Sequence, residues 1–448
     1  MTTDIQNPKP KTQNRNDVLA QVADARVQLI DLQFSDIVGG AKALTIPIEL
    51  LATVLAQGYR FDGSALTGGH RKIELDLFLK PDPETLAIFP LSSDGQRRAR
   101  FCCSVIRRDG QPFVGDPRSV LQRNLTAARE LGYEYRVAVE LEYYLLPGDG
   151  SMPDRAIGAG YFSVGDDRIA ATRDNVVTSL QAMGITVGGS HHETGPGQEE
   201  LDLADIGALQ MADLLLTVRQ VIRSVARRHG LRATFMPKPL GDSAGSGMHI
   251  FQSLYRVADG TDALGQQDNA LAQDAYWIIG GQLAHAPGMT LITNPTVNSY
   301  KRLNAGHRAP RYATWARLSH GSLIRVPGWL ESEQAEIELR SPDAMANPYL
   351  AFAVALAAGM DGIRTRINPP EPFDESFVAF DDDELYRRGV TRLPATLGEA
   401  IASFADDPVI QEAVGGYIAD QLVSVKRDEW EAYRAHVGPW ELQRYLDA

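Results

Sequence analysis

Residues 135–146, YRVAVELEYYLL, alternate apolar and polar side chains with a period of two, a pattern that suits a strand and not a helix. Val139 and Leu141 then face one side of a sheet, and Glu140 and Glu142 leave the other side together. Two carboxylates that close repel each other, and one takes up a proton unless a cation lies between them. A divalent ion relieves that strain, whereas a solvated strand face would simply expose it. The pair alone does not choose.

The stretch HHETGPGQEE, residues 191–200, adds His191, His192, Glu193, Glu199 and Glu200 around a Gly-Pro-Gly turn. Carboxylate-rich sets of this kind suit Mg2+ or Mn2+, which prefer hard oxygen ligands, although adjacent histidines also serve as packing. In AGSGMHIFQSL the side chains of His249, Phe251 and Ser253 share a face, reached through Gly245 and Gly247, whose missing side chains let a ligand approach the backbone. In AEIELR, Glu336, Glu338 and Arg340 share one face. That last set is informative only if the strands converge, because a carboxylate beside an arginine is commonly a surface ion pair.

The 448-residue chain is 44% hydrophobic and 23% charged, with a net charge of -13. It is long enough for two or three domains with sizeable cores. An acidic balance argues against a nonspecific grip on nucleic acid or an anionic membrane. Cys102 and Cys103 are adjacent and lack the spaced partners of a zinc site, so a reduced, cytoplasmic setting is expected. The polar N-terminus has no apolar segment of a signal peptide. YLAFAVALAAGM, residues 349–360, is too short to span a bilayer and reads as a buried helix.

Along the chain, residues 1–16 read as a disordered tail. VQLIDLQFSDIVGGAKALTIP reads as a hairpin, ELLATVLAQG as a short helix, and LAIFPL and ARFCCSVIRR as strands. These place a β-rich N-terminal domain at residues 17–112. Residues 113–448 read as a larger α+β domain. It would hold helices at RSVLQRNLTAARELG and 206–229, strands at ATFMPKPL, GSGMHIFQSL and AEIELR, and closing helices PYLAFAVALAAGMDGI and LGEAIASFA. SYKRLNAGHRAP, residues 299–310, reads as a basic loop.

FDGSALTG, ELEYYLL, HHETGPGQEE, ATFMPKPLGDSAGSGMH, NPTVNSYKRL, LIRVP, IELRSPDAMANPYLAFAVALAAGMDGI and WELQRYL together resemble the glutamine synthetase family, class I type, and occur in the family's order. The resemblance implies an α+β fold: a small N-terminal β-grasp domain, then a large catalytic domain with a curved antiparallel sheet. It implies ATP and two or three divalent ions, Mg2+ or Mn2+. One ion would be held by Glu142, Glu193 and Glu200, another by Glu140, His249 and Glu338. Glutamate would be held by Arg302, Arg340 and the backbone at Gly245. Arg325 would sit by the ATP phosphates and Ser253 near the nucleotide. Asp62 matches a residue that acts in a neighbouring subunit's site, within a dodecamer of two hexameric rings.

Several positions depart from the family pattern. Arg308, beside His307, stands where ammonia-using members carry a glutamate that helps form the cation pocket. Ala244 replaces an asparagine that touches glutamate, and Phe251 a second histidine. His320 and Glu336 fall where arginines of the nucleotide side are expected. The kept metal set with an altered acceptor end resembles the γ-glutamylamide and γ-glutamylpolyamine synthetases. It predicts a γ-glutamyl phosphate intermediate attacked by an amine other than ammonia. Alternatives are a true glutamine synthetase, an enzyme with a different acid substrate, or a non-catalytic binder of nucleotide or glutamate. Tyr386 lies near a position that is adenylylated in some members, but its surroundings depart from that motif.

Overall fold

The computed structural model describes residues 14–68, 75–89, 95–151, 160–164, 168–267, 270–304, 309–327, 335–375, 377, 380 and 382–448. The first described element crosses the expected tail boundary at residue 16. A helix runs over Arg15–Asp24, because the Asn14 side chain accepts from the backbone N–H groups of Asn16 and Asp17 and closes a capping box.

The first sheet holds β1 (Leu29–Ser35), β2 (Ala41–Pro47), β3 (Tyr59–Asp62), β4 (Asp76–Pro81), β5 (Ala87–Ile88) and β6 (Arg98–Ile106). Its order is β2-β1-β6-β4-β3, with β5 on β6. The expected hairpin is β1 and β2, turned at Gly39, whose φ of 87° favours glycine. β1 runs parallel to β6, and the remaining pairs are antiparallel. Ile30, Leu32, Leu51, Leu79, Phe101 and Val105 fill a core of their own beneath this sheet.

The second sheet is built on β7 (Tyr133–Pro147), the long strand on which the alternation was read, with β8 (Val187–His192), β9 (Gln198–Gly207), β10 (Leu231–Thr234) and β11 (Met248–Arg256). A two-stranded pair, β12 (Gln266–Gln267) and β13 (Ala270–Leu271), stands apart. The short β14 (Trp315–Ala316), β15 (Ile324–Arg325) and β16 (Ile337–Leu339) complete the order β14-β15-β16-β11-β7-β9-β8, with β10 on β7. Every pairing is antiparallel except β14 with β15. Val137, Val139 and Leu141 are at most 1% exposed. They share one buried core with helices Ala208–Arg228 and Pro348–Thr365, the second being the buried Ala-rich helix expected from its composition.

Three expectations need correction. The strand foreseen over ATFMPKPL ends at Thr234, since Pro237 and Pro239 lack the N–H that a ladder requires. LGEAIASFA does not close the chain, for helices Pro408–Val414, Gly416–Ala435 and Pro439–Tyr445 follow it. The basic loop is helical in its first half, over Ser299–Leu303, and its residues 305–308 lie outside the described residues.

A buried polar clamp ties the end of β4 to helices Pro117–Glu130, Ala208–Arg228 and Pro348–Thr365. Arg118 donates through Nε and Nη2 to both oxygens of Asp213 at 2.9 Å, and to Asp82 at 2.7 Å. Tyr349 donates its hydroxyl to the same Asp213 at 2.6 Å. A guanidinium this buried is stable only with such partners. No helix among the described residues is long and apolar enough to cross a membrane, and Cys102 and Cys103 are buried, free thiols.

Candidate active site

The register of the second sheet gathers the charged faces foreseen strand by strand. His249 on β11 lies directly opposite Glu140 on β7, and Glu142 lies opposite Glu200 on β9. Glu200 in turn faces His191 on β8. On the other side of β11, β16 brings Glu338 in beside His249. Strand alternation therefore turns separate sequence motifs into one polar sheet face.

Glu140, His249 and Glu338 each present a ligand atom within 4.8 Å of the others. His249 Nδ1 is 3.1 Å from Glu140 and 3.4 Å from Glu338. Burial, then the nearby Arg340 guanidinium, lowers the His249 pKa to about 4. Its ring is therefore neutral at ordinary pH, the form that ligates metal. Glu338 is fully buried, with one oxygen bound by Arg340 and the other by Arg325 at 3.0 Å.

Glu142, Glu193 and Glu200 line the same cavity of about 750 Å³, but a different trio has its ligand atoms drawn within 4.8 Å of one another, namely His191, Glu200 and Asp202. Glu142 is turned toward Gln198 Nε2 at 3.0 Å and the Gly247 N–H at 2.8 Å. Glu193 faces His191 at 3.4 Å and accepts from the Thr194 N–H. Burial raises the Glu200 pKa, and Glu140, Glu142, Asp202 and Glu193 raise it further. Such crowding of carboxylates fits a divalent cation well. Asp202 was missed in the sequence, although it lies two residues beyond Glu200 on the same strand face. His192 and Glu199 face the other way, bonded to each other at 2.9 Å, with Arg173 on Glu199 at 3.0 Å. They are packing groups.

Arg302 is buried and held rigidly, its Nη atoms donating to the carbonyls of Ser341, Pro342 and Arg340. A Cβ at Gly245 would lie 2.7 Å from Arg302 Cγ, and one at Gly247 would lie 2.6 Å from Arg302 Nη2. Both glycines are therefore needed for close approach. Arg340 donates Nε to the His320 carbonyl at 3.1 Å. Arg302, Arg325, Arg340, Gly245, Ala244, Lys238 and His320 share the cavity with the acidic set. Arg325 Nε is a buried nitrogen without a hydrogen-bond partner, as a place awaiting an anion would have.

The other expected residues lie elsewhere. Ser253 is buried further along β11, opposite Arg136, and does not line this cavity. Asp62 is exposed at the end of β3, where it caps a short turn by accepting from the Ser64 N–H at 2.9 Å. Arg308 lies outside the described residues. Glu336 is half-buried, and its pKa is raised by burial, then by Asp205, Glu140 and Asp262.

A polar sheet face carrying a histidine–carboxylate set at one place and convergent arginines at another defines a metal-dependent enzyme acting on anionic substrates. Residues 26–108 match the model of the glutamine synthetase β-grasp domain, and residues 114–445 match that of the glutamine synthetase catalytic domain. A glutamine synthetase of Halobacterium salinarum is 39% identical over the full length of both chains. One of Thermotoga maritima is 38% identical over 95% of this chain and 98% of its own. The solved GmaS–ADP complex superposes with a TM-score of 0.84 at 29% identity, covering 96% of this chain and all of that one. Ligand-free GmaS gives 0.83 at 30% identity, covering 97% of this chain and all of that one. The chain belongs to the glutamine synthetase family, whose members are ATP-dependent ligases that form carbon–nitrogen bonds and use divalent metals.

Proposed function

We propose that this protein joins glutamate to an amine other than ammonia, forming a γ-glutamyl amide. The observation that carries the acceptor reading is Arg308 in KRLNAGHRAP, a permanent cation where the resemblance expects a glutamate. At about 4 Å and an effective dielectric near 20, that reversal turns roughly 4 kcal/mol of attraction for an ammonium into similar repulsion. The fold's likeness to GmaS, a γ-glutamylmethylamide synthetase, supports the same reading.

Glu140, His249 and Glu338 would hold one divalent ion, and Glu142, Glu193 and Glu200 another, with Asp202 and His191 at hand. Bound there, such ions screen the charge that develops on a transferring phosphoryl group. Arg325 would meet the ATP phosphates through its unpartnered Nε, and Ser253 would lie toward the nucleotide. Arg302, Arg340 and the Gly245 backbone would orient glutamate so that its γ-carboxylate meets the phosphoryl group. Attack needs a neutral amine. Arg308 therefore favours acceptors uncharged at neutral pH, such as aromatic amines, or amines bearing a carboxylate, over polycations. Asp62 would serve a neighbouring copy within a homo-oligomer, a dodecamer of two rings by resemblance.

The test is phosphate release by purified protein with ATP, Mg2+ and glutamate across ammonia, methylamine, ethanolamine, diamines, anilines and amino acids. The expected result is the highest kcat/KM with an amine other than ammonia. The second reading, a true glutamine synthetase, is favoured by the 39% identity over full length. It predicts ammonia as by far the best acceptor, together with inhibition by methionine sulfoximine.

A further inference from the structure

Tyr144 lies on the same face of β7 as Glu140 and Glu142, is fully buried, and does not line the cavity. Its hydroxyl donates to the carbonyl of Ala244 at 2.6 Å. Gly195 leaves room for that hydroxyl, since a Cβ there would stand 2.0 Å from the oxygen. One residue on, Gln198 Nε2 donates to the Gly245 carbonyl at 3.1 Å while also holding Glu142 at 3.0 Å. The Ser246 N–H donates to the Pro237 carbonyl at 2.8 Å. Residues 241–245 are otherwise a solvent-facing turn without helix or strand, so these tethers set where the turn stands.

The turn touches the arginine of the acid site, because Gly245 is packed against both Arg302 and the Pro237 carbonyl. A shift at Ala244 therefore moves Gly245 relative to Arg302 and Glu142. Ala244 offers only a methyl group to the cavity, so the position of its backbone is what the turn contributes there.

We propose that Tyr144 is a positioning residue for the acid substrate, its hydroxyl fixing the 241–247 segment against Arg302 and Glu142. This rests on the reading of glutamate as the acid. A positioning role loads on one substrate, whereas a structural role loads on all of them.

The test is steady-state kinetics of Tyr144→Phe, which removes one oxygen. KM for glutamate is expected to rise by about three- to tenfold, the range one neutral hydrogen bond supplies. KM for ATP and kcat at saturating glutamate should stay within about twofold, with little change in Tm. Gly195→Ala, whose Cβ would stand 2.0 Å from the hydroxyl and 2.9 Å from Gln198 Oε1, should raise the glutamate KM at least as much. An unchanged glutamate KM in folded Tyr144→Phe overturns the proposal, as does a comparable rise in both KM values together with a fall in kcat. Failure of both variants to fold also overturns it, in favour of a structural role. Wild-type protein inactive with glutamate and every amine would sink the reading of the site itself. Active wild type with an unaffected variant would sink only the role of Tyr144.

Discussion

Gly247 shows how little space the site leaves at a single residue. A Cβ there would stand 2.6 Å from Arg302 Nη2 and 2.9 Å from His249 Nε2, both inside normal contact. Gly247→Ala should therefore push two site groups apart without touching the hydrophobic core. Activity is expected to fall by about 100-fold, the scale of a 1 Å misplacement, while Tm moves by only a few degrees. Near-wild-type turnover would show that Arg302 and His249 need not hold this spacing. Glu200 gives a second prediction. Its folded-state pKa is raised, so above the ordinary carboxylate range the native state keeps a proton that the unfolded chain has released. Metal-free protein should accordingly lose stability as pH climbs through that window. Added Mg2+ should raise Tm more at about pH 8.5 than at about pH 6, and Glu200→Gln should flatten the metal-free profile. Equal stabilisation at both pH values would argue that no cation sits among these carboxylates. Glu140 and Glu142 were legible because alternation fixes their shared face. Asp202 obeys the same rule yet was passed over, since it lies beyond the 191–200 cluster and its partner across the sheet, Glu140 on β7, comes from distant sequence.

Among the elements, long periodic segments were readable, and the short ones only in part. β7 and helix Ala208–Arg228 carry their patterns over 15 and 21 residues. The two residues of β15 are a strand because β14 and β16 pair with them, and no local propensity announces that. The polar joints between helices were equally hidden. His285, between helices Gln273–Ala284 and Ala286–Thr293, bonds Asp407 through Nδ1 at 2.9 Å and Asp361 through Nε2 at 3.2 Å. Asp361 belongs to helix Pro348–Thr365, and Asp407 caps helix Pro408–Val414. Donating from both nitrogens requires the imidazolium, and the Asp407 bond, with help from Asp361, raises the His285 pKa. A raised histidine stabilises fully below its unfolded pKa, and that contribution fades as pH rises through the folded value. His285→Gln should thus cost about 1–2 kcal/mol at acid-to-neutral pH, and less at alkaline pH. Denaturant midpoints measured across that range would check it, and a pH-independent difference would mean that the ring acts by packing alone. The Arg118 clamp predicts more, because Arg118→Ala leaves Asp213 buried without its cation. A loss of about 3–5 kcal/mol is expected, and a loss below 1 kcal/mol by the same denaturation would show that water or Tyr349 replaces it.

At the scale of the whole molecule, the family was legible because many motifs occur in one order, each weak when taken singly. The assembly was not, since nothing in one chain's pattern shows which surfaces meet. Asp62 carries the relevant clue. It is exposed at the edge of the first sheet and caps its own turn, while the cavity is lined from the second sheet and its loops. A role for Asp62 in acceptor chemistry therefore requires a second copy of the chain. If sites are shared in this way, Asp62→Ala and Arg340→Ala chains should each be inactive alone, yet complement when mixed. A site is then complete wherever an Asp62→Ala chain supplies its cavity and an Arg340→Ala neighbour supplies Asp62. With random assembly from equal amounts this describes about one site in four, so roughly a quarter of wild-type turnover is expected. Coexpression with two affinity tags isolates the mixed oligomers for assay. Absence of recovery in them would show that Asp62 does not complete a neighbouring chain's cavity.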